Sequence, residues 1–117
     1  MSHSDGQLFA HIFDEMRFLE AEVARTGEAA FLVDETLKRA FARSLEIIGE
    51  AVKNLSPSLV TGHPEVPWRN IAGMRDKLIH GYFSTNHKLV WDVASRVLPE
   101  FQKQLAAIQS QHPELFP

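Results

Sequence analysis

Apolar residues in this chain recur at steps of three and four, and no segment alternates with period two over a strand's length. That spacing commits the sequence to helices, each burying one face. The first stripe is Leu8, Ile12, Met16, Leu19 and Val23, widened by Phe9 and Phe13 into a face broad enough for a core. Gly27 stands where a helix stop is expected. Residues 28–33 predict a short helical turn that packs Phe31 and Leu32 inward. Asp34 is the expected N-cap of the next helix, whose stripe runs Leu37, Phe41, Leu45, Ile48, Val52 and Leu55 and ends at Ser56-Pro57. The stretch 56–66 has turn formers and no period, which predicts a surface loop. Pro67 suits the first turn of a third helix carrying Trp68, Ile71, Ala72, Leu78 and Ile79, with Gly81 ending it. The last stripe, Val90, Val93, Val97, Phe101, Leu105 and Ile108, runs in phase through Pro99. A proline there bends a helix or splits it into two nearly collinear pieces. The expected fold is an all-α bundle of four to five helices.

A length of 117 residues fits one domain. With 44% hydrophobic and 23% charged residues, the composition is that of a globular protein and not of a disordered one. We expect a disordered N-terminus over 1–7, the helical domain over 8–110 and a tail over 111–117. The absence of cysteine excludes disulfides, thiolate metal sites and a cysteine nucleophile. No apolar run approaches the roughly 20 residues of a membrane span, and the first six residues lack the basic and apolar regions of a signal peptide. A cytoplasmic location is the expectation. The formal net charge of -3 argues against nonspecific coating of nucleic acid. It leaves room for an enzyme that touches one or two phosphates. Residues 1–55 hold 6 basic and 10 acidic side chains, and residues 56–117 hold 6 and 5, so the acidity sits in the first half.

One arginine breaks the pattern. Three and four residues from Arg75 stand Ile71, Ala72, Leu78 and Ile79, which puts a guanidinium in the middle of an apolar stripe. Burying it unpaired costs several kcal/mol, so it needs a partner or a cleft. Glu50, after the apolar stretch of the second helix, is the best partner for a structural ion pair. The other reading is that the stripe faces a second subunit and Arg75 lines the groove between them.

His80 lies five residues after Arg75, at the expected C-terminal end of the same helix. The negative end of a helix dipole favours imidazolium, and Asp76, four residues earlier, can fix its ring. An arginine that grips non-bridging oxygens beside a histidine that moves protons near neutral pH can hold and cleave a phosphodiester. Tyr82, the only tyrosine, lies two residues further on. It either packs beside Phe83 or exposes a modifiable hydroxyl at the cleft mouth. A metal site built from His63, His80 and His87 lacks the spacing of two ligands on one helical face. Trp68 and Trp91 stand where core packing explains them better than stacking on bases.

The segment Arg75-Asp76-Lys77-Leu78-Ile79-His80-Gly81-Tyr82 has the form Arg-x4-His-x-Tyr and resembles the motif of the HepT-like ribonucleases, of the HEPN superfamily. Pro67 to Met74 resembles that family's lead-in to the arginine, Leu45 to Ala51 its second-helix signature, and Val90 to Val93 with Leu98-Pro99 its last helical segment. The resemblance implies a HEPN up-and-down bundle that dimerises and brings two motifs to a shared cleft. It implies metal-independent endoribonuclease activity without a cofactor, as the toxin of a type VII toxin–antitoxin pair. The implied partner is an MntA-like nucleotidyltransferase antitoxin that transfers AMP from ATP to Tyr82. In that scheme Arg75 and His80 are catalytic, with Asp76 and Glu50 supporting. A non-catalytic helical subunit that presents nucleotide or substrate to a nucleotidyltransferase is the alternative.

Overall fold

The computed structural model describes residues 3–79 and 86–116, with the side chains of Leu78 and Ile79 outside that description. Helix α1 spans Asp5–Thr26. It begins inside the segment expected to be disordered because Ser4 and Gln7 form a capping box: Ser4 Oγ accepts from the Gln7 amide at 3.1 Å, and Gln7 Oε1 accepts from the Ser4 amide at 2.8 Å. Gly27 stops it at φ 82°, a conformation that only glycine adopts without strain. The short α2, Glu28–Leu32, then turns Phe31 fully into the core, as the sequence predicts.

Helix α3 spans Glu35–Lys53, and its N-cap is Asp34, whose side chain accepts from the Leu37 amide at 3.0 Å. It is the central element, packing against α1 and α2 and against the helices after residue 67. Ser44, buried on its inner face, donates to Glu15 of α1 at 2.7 Å.

The expected loop over 56–66 contains a helix instead, α4 at Pro57–Gly62. Proline's fixed φ suits the first helical position, and Asp5 secures the entry by accepting from the Ser56 amide at 2.9 Å and from its hydroxyl at 2.6 Å. Six residues with one buried apolar side chain, Leu59, are too few to show a period. The expected third helix is two pieces, α5 at Trp68–Ala72 and α6 at Met74–Ile79, joined at Gly73. Met74, absent from the sequence stripe, is buried there.

The last helix begins as α7, His87–Asp92, continues as a π-helical turn over Val93–Val97 and ends as α8, Leu98–Gln111. Pro99 has no amide hydrogen to give the preceding turn. The chain widens before it: the Leu98 amide donates to Val93 O, five residues back, and Ser95 Oγ donates to Trp91 O at 2.7 Å. The extra residue breaks the phase of the predicted stripe. Val97 is 39% exposed, while Ala94 and Leu98 point inward.

The elements form an all-α bundle, with no strand among the described residues. The fully buried Phe31 and Phe41 form an aromatic group with the partly buried Trp91, in which Phe41 and Trp91 stack 6.2 Å apart and nearly parallel. Trp68 is buried edge-on to Phe101 and donates its indole N–H to His63 O at 2.9 Å. Trp68 is therefore a core residue, and Trp91 is partly buried and packs against the core. Among the described residues, no helix is long and apolar enough to cross a membrane.

Candidate active site

Helix α3 packs closely on α5 and α6 at Gly49. A β-carbon built there would stand 3.2 Å from Ile71 O, 3.2 Å from the Arg75 amide nitrogen and 3.4 Å from Ala72 O. Backbone packs on backbone, and the side chains beside that contact are brought together. Glu50 follows Gly49 on α3 and Arg75 lies in α6, so the pair meets with Arg75 Nε 3.2 Å from Glu50 Oε2.

The pairing expected from sequence is present, but it is not buried. The side chains of Arg75 and Glu50 are 38% and 48% exposed. An ion pair that open to water contributes only about 0–1 kcal/mol, so fold stability gives little reason for it. The two charges sit instead in an open groove of about 410 Å³. Asn54, one turn beyond Glu50, donates to Glu50 O at 2.8 Å and reaches its carboxylate at 3.4 Å. Arg43 and Glu46, paired at 3.1 Å, also line the groove, as does His11 from α1.

Of the expected site residues, the structure unites Arg75 and Glu50 and leaves Asp76 exposed on α6 next to Arg75. His80, Gly81 and Tyr82 lie outside the described residues. Arg43, Asn54 and His11 were not singled out from sequence. The signal for two of them was present, because Arg43, Glu46, Glu50 and Asn54 follow one another at steps of three, four and four and so share a polar face of α3. The groove thus offers two guanidinium groups and two imidazoles, those of His3 and His11, within a framework of carboxylates. Such a set can seat a phosphate locally and cannot hold a long polyanion by charge alone.

The three-histidine metal reading needs His80, which lies outside the described residues; among the described residues no group of three or more His, Asp or Glu side chains is placed to hold a metal ion. His63 faces His112 instead, their Nε2 atoms 3.1 Å apart.

A family model described as Ribonuclease HepT-like matches residues 12–108. "Putative RNase TTE0752" of Caldanaerobacter subterraneus subsp. tengcongensis is 49% identical over 98 residues, which cover 84% of this chain and 88% of that protein. "Putative RNase MJ1216" of Methanocaldococcus jannaschii is 41% identical over 102 residues, 85% of this chain and 84% of that protein. "Probable ribonuclease HepT" of Thermococcus cleftensis is 44% identical over 72 residues, 62% of this chain and 66% of that protein. No solved structure matches.

Proposed function

The chain belongs to the HepT-like ribonuclease family, and we propose that it is a metal-independent endoribonuclease, the toxin of a type VII toxin–antitoxin pair. The observation that carries this reading is Arg75, held half-exposed by Glu50 at a groove, within a family match that spans the whole Arg-x4-His-x-Tyr motif. A second copy of the chain completes the cleft with its own motif.

In this mechanism His80 takes the proton from an RNA 2′-hydroxyl, which attacks the adjacent phosphorus. The bond to the 5′-oxygen breaks, and His80, now the general acid, returns a proton to the leaving oxygen. The products are a 2′,3′-cyclic phosphate and a 5′-hydroxyl end. Arg75 neutralises the charge that builds on the non-bridging oxygens, where a fixed cation is worth most. Glu50 holds the guanidinium in place, and Asp76 orients His80 or meets the ribose. An MntA-like nucleotidyltransferase silences the enzyme by joining AMP from ATP to the Tyr82 hydroxyl. The added bulk and negative charge then repel RNA phosphate at the cleft mouth, by the logic that governs phosphorylation.

The deciding experiment is RNA cleavage by the purified protein in EDTA. His80→Ala and Arg75→Ala should each slow cleavage by about 100-fold or more. Wild-type rates in both variants would sink the assignment. Antitoxin plus ATP should silence the wild type and spare Tyr82→Phe. A wild type that cuts no RNA, and whose expression without the antitoxin leaves growth unaffected, would favour the non-catalytic binding subunit.

A further inference from the structure

His63 ends α4 and His112 ends α8, and their imidazoles meet edge to face, 88° apart, with the two Nε2 atoms 3.1 Å from one another. Each ring has a carboxylate behind it: His63 Nδ1 lies 3.6 Å from Glu65, and His112 Nδ1 lies 3.5 Å from Glu114. The pair borders a groove that also contains Asp5, Ser56 and Gln111 and shares no lining residue with the groove at Arg75.

Two neutral imidazoles satisfy this arrangement only in part, since they can share one Nε2–H but cannot also turn both Nδ1–H groups to the carboxylates. Each has one N–H and one lone pair. If both Nδ1–H groups point to their glutamates, two Nε2 lone pairs face each other. If one ring donates from Nε2 instead, its bare Nδ1 faces a carboxylate. A single cation between the rings resolves the conflict, because both Nε2 lone pairs then bind it and both Nδ1–H groups serve the carboxylates. Carboxylate, histidine and metal in line is the usual outer-shell arrangement of histidine metal sites. In a tetrahedral zinc site two imidazole nitrogens stand about 3.3 Å apart, so the rings need to part by only about 0.2 Å.

We propose that His63 and His112 form a two-histidine site for a divalent first-row transition metal such as Zn2+, with water completing its coordination. Imidazole ligands select zinc, copper or nickel over magnesium or calcium, which take oxygen. A bound metal links the end of α4 to the end of α8. The site stands apart from the ribonuclease reading, whose cleavage in EDTA does not depend on it.

The test uses the full chain without an affinity tag, stripped with chelator and titrated calorimetrically with ZnCl2. One metal should bind per chain and raise the melting temperature. His63→Gln and His112→Gln should each weaken binding by at least about 10-fold, and Glu65→Gln with Glu114→Gln together by about 10-fold. His3→Gln, His11→Gln and His87→Gln should leave it unchanged. If the site variants fail to fold, imidazole nitrogen NMR of the wild type decides: zinc should move the Nε2 resonances of two histidines. No saturable binding, or binding that survives loss of both histidines, overturns the site. So does a pair that titrates as a shared proton and ignores zinc.

Discussion

The backbone nitrogen of Arg75 lies 3.2 Å from the place a β-carbon on Gly49 would occupy. That approach sets where the arginine stands, because backbone cannot retreat as the end of a flexible side chain can. Gly49→Ala should cost about 1–3 kcal/mol by forcing α3 away from α5 and α6, and Gly49→Val more. If Arg75 and Glu50 are the working pair, RNA cleavage should fall further than the loss of folded protein explains. Thermal melts run beside single-turnover cleavage separate the two effects.

Salt should weaken RNA binding only gently. The chain carries a net charge of -3, and its groove offers cations for one or two phosphates. For single strands the slope of log affinity against log salt is about -0.7 per neutralised phosphate, so a value near -0.7 to -1.4 is expected. A slope of about -4 or steeper, measured by fluorescence anisotropy with the inactive His80→Ala protein, would mean a broad electrostatic surface instead.

Asp5 ties the start of α1 to the start of α4 through both the amide and the hydroxyl of Ser56. Removing a partly buried carboxylate that accepts two such bonds should cost about 1.5–3 kcal/mol. Asp5→Ala is expected to lose that amount in urea denaturation. Asp14→Ala, which loses only an exposed ion pair with Arg17, should stay within about 0.5 kcal/mol of wild type.

Much of this architecture was legible because long helices repeat their signal. Over α1 and α3 the apolar spacing specifies the inward faces, Gly27 the end of α1 and Asp34 the start of α3, and the structure agrees on these. Short or interrupted elements carry no such redundancy. One buried leucine could not announce α4, and Met74 fell outside a stripe read as a single continuous helix. At the site, Arg75 stood out because a charge interrupted an apolar run, and Glu50 followed as its partner. Arg43, Asn54 and His11 stayed hidden because polar residues on a helix surface look like ordinary solvated positions until a neighbouring element makes that surface a groove. The close approach at Gly49 was equally silent, since a sequence does not show which backbone comes near a glycine.

The largest departure from the predicted pattern gives a sharp comparison. Read as one unbroken helix, the sequence buries Val97, yet the structure exposes it and buries Leu98. Leu98→Ala should cost about 2–5 kcal/mol, whereas Val97→Ala should change stability by less than about 0.5 kcal/mol. Equal losses would put Val97 back on the buried stripe that the apolar spacing predicts.

The π-helical turn also separates chain length from bundle geometry in this one helix. It holds a surplus residue between two faces, α7 around Val90 and α8 around Phe101, that are already seated on the core. Without Val97, the five-residue step from Val93 to Leu98 would become an ordinary step of four while the faces on either side stay where they pack. A deletion in α1 or α3 would instead rotate half of a buried face outward. The last helix therefore has slack that the other long helices lack, and single-residue length changes among relatives should collect at this turn.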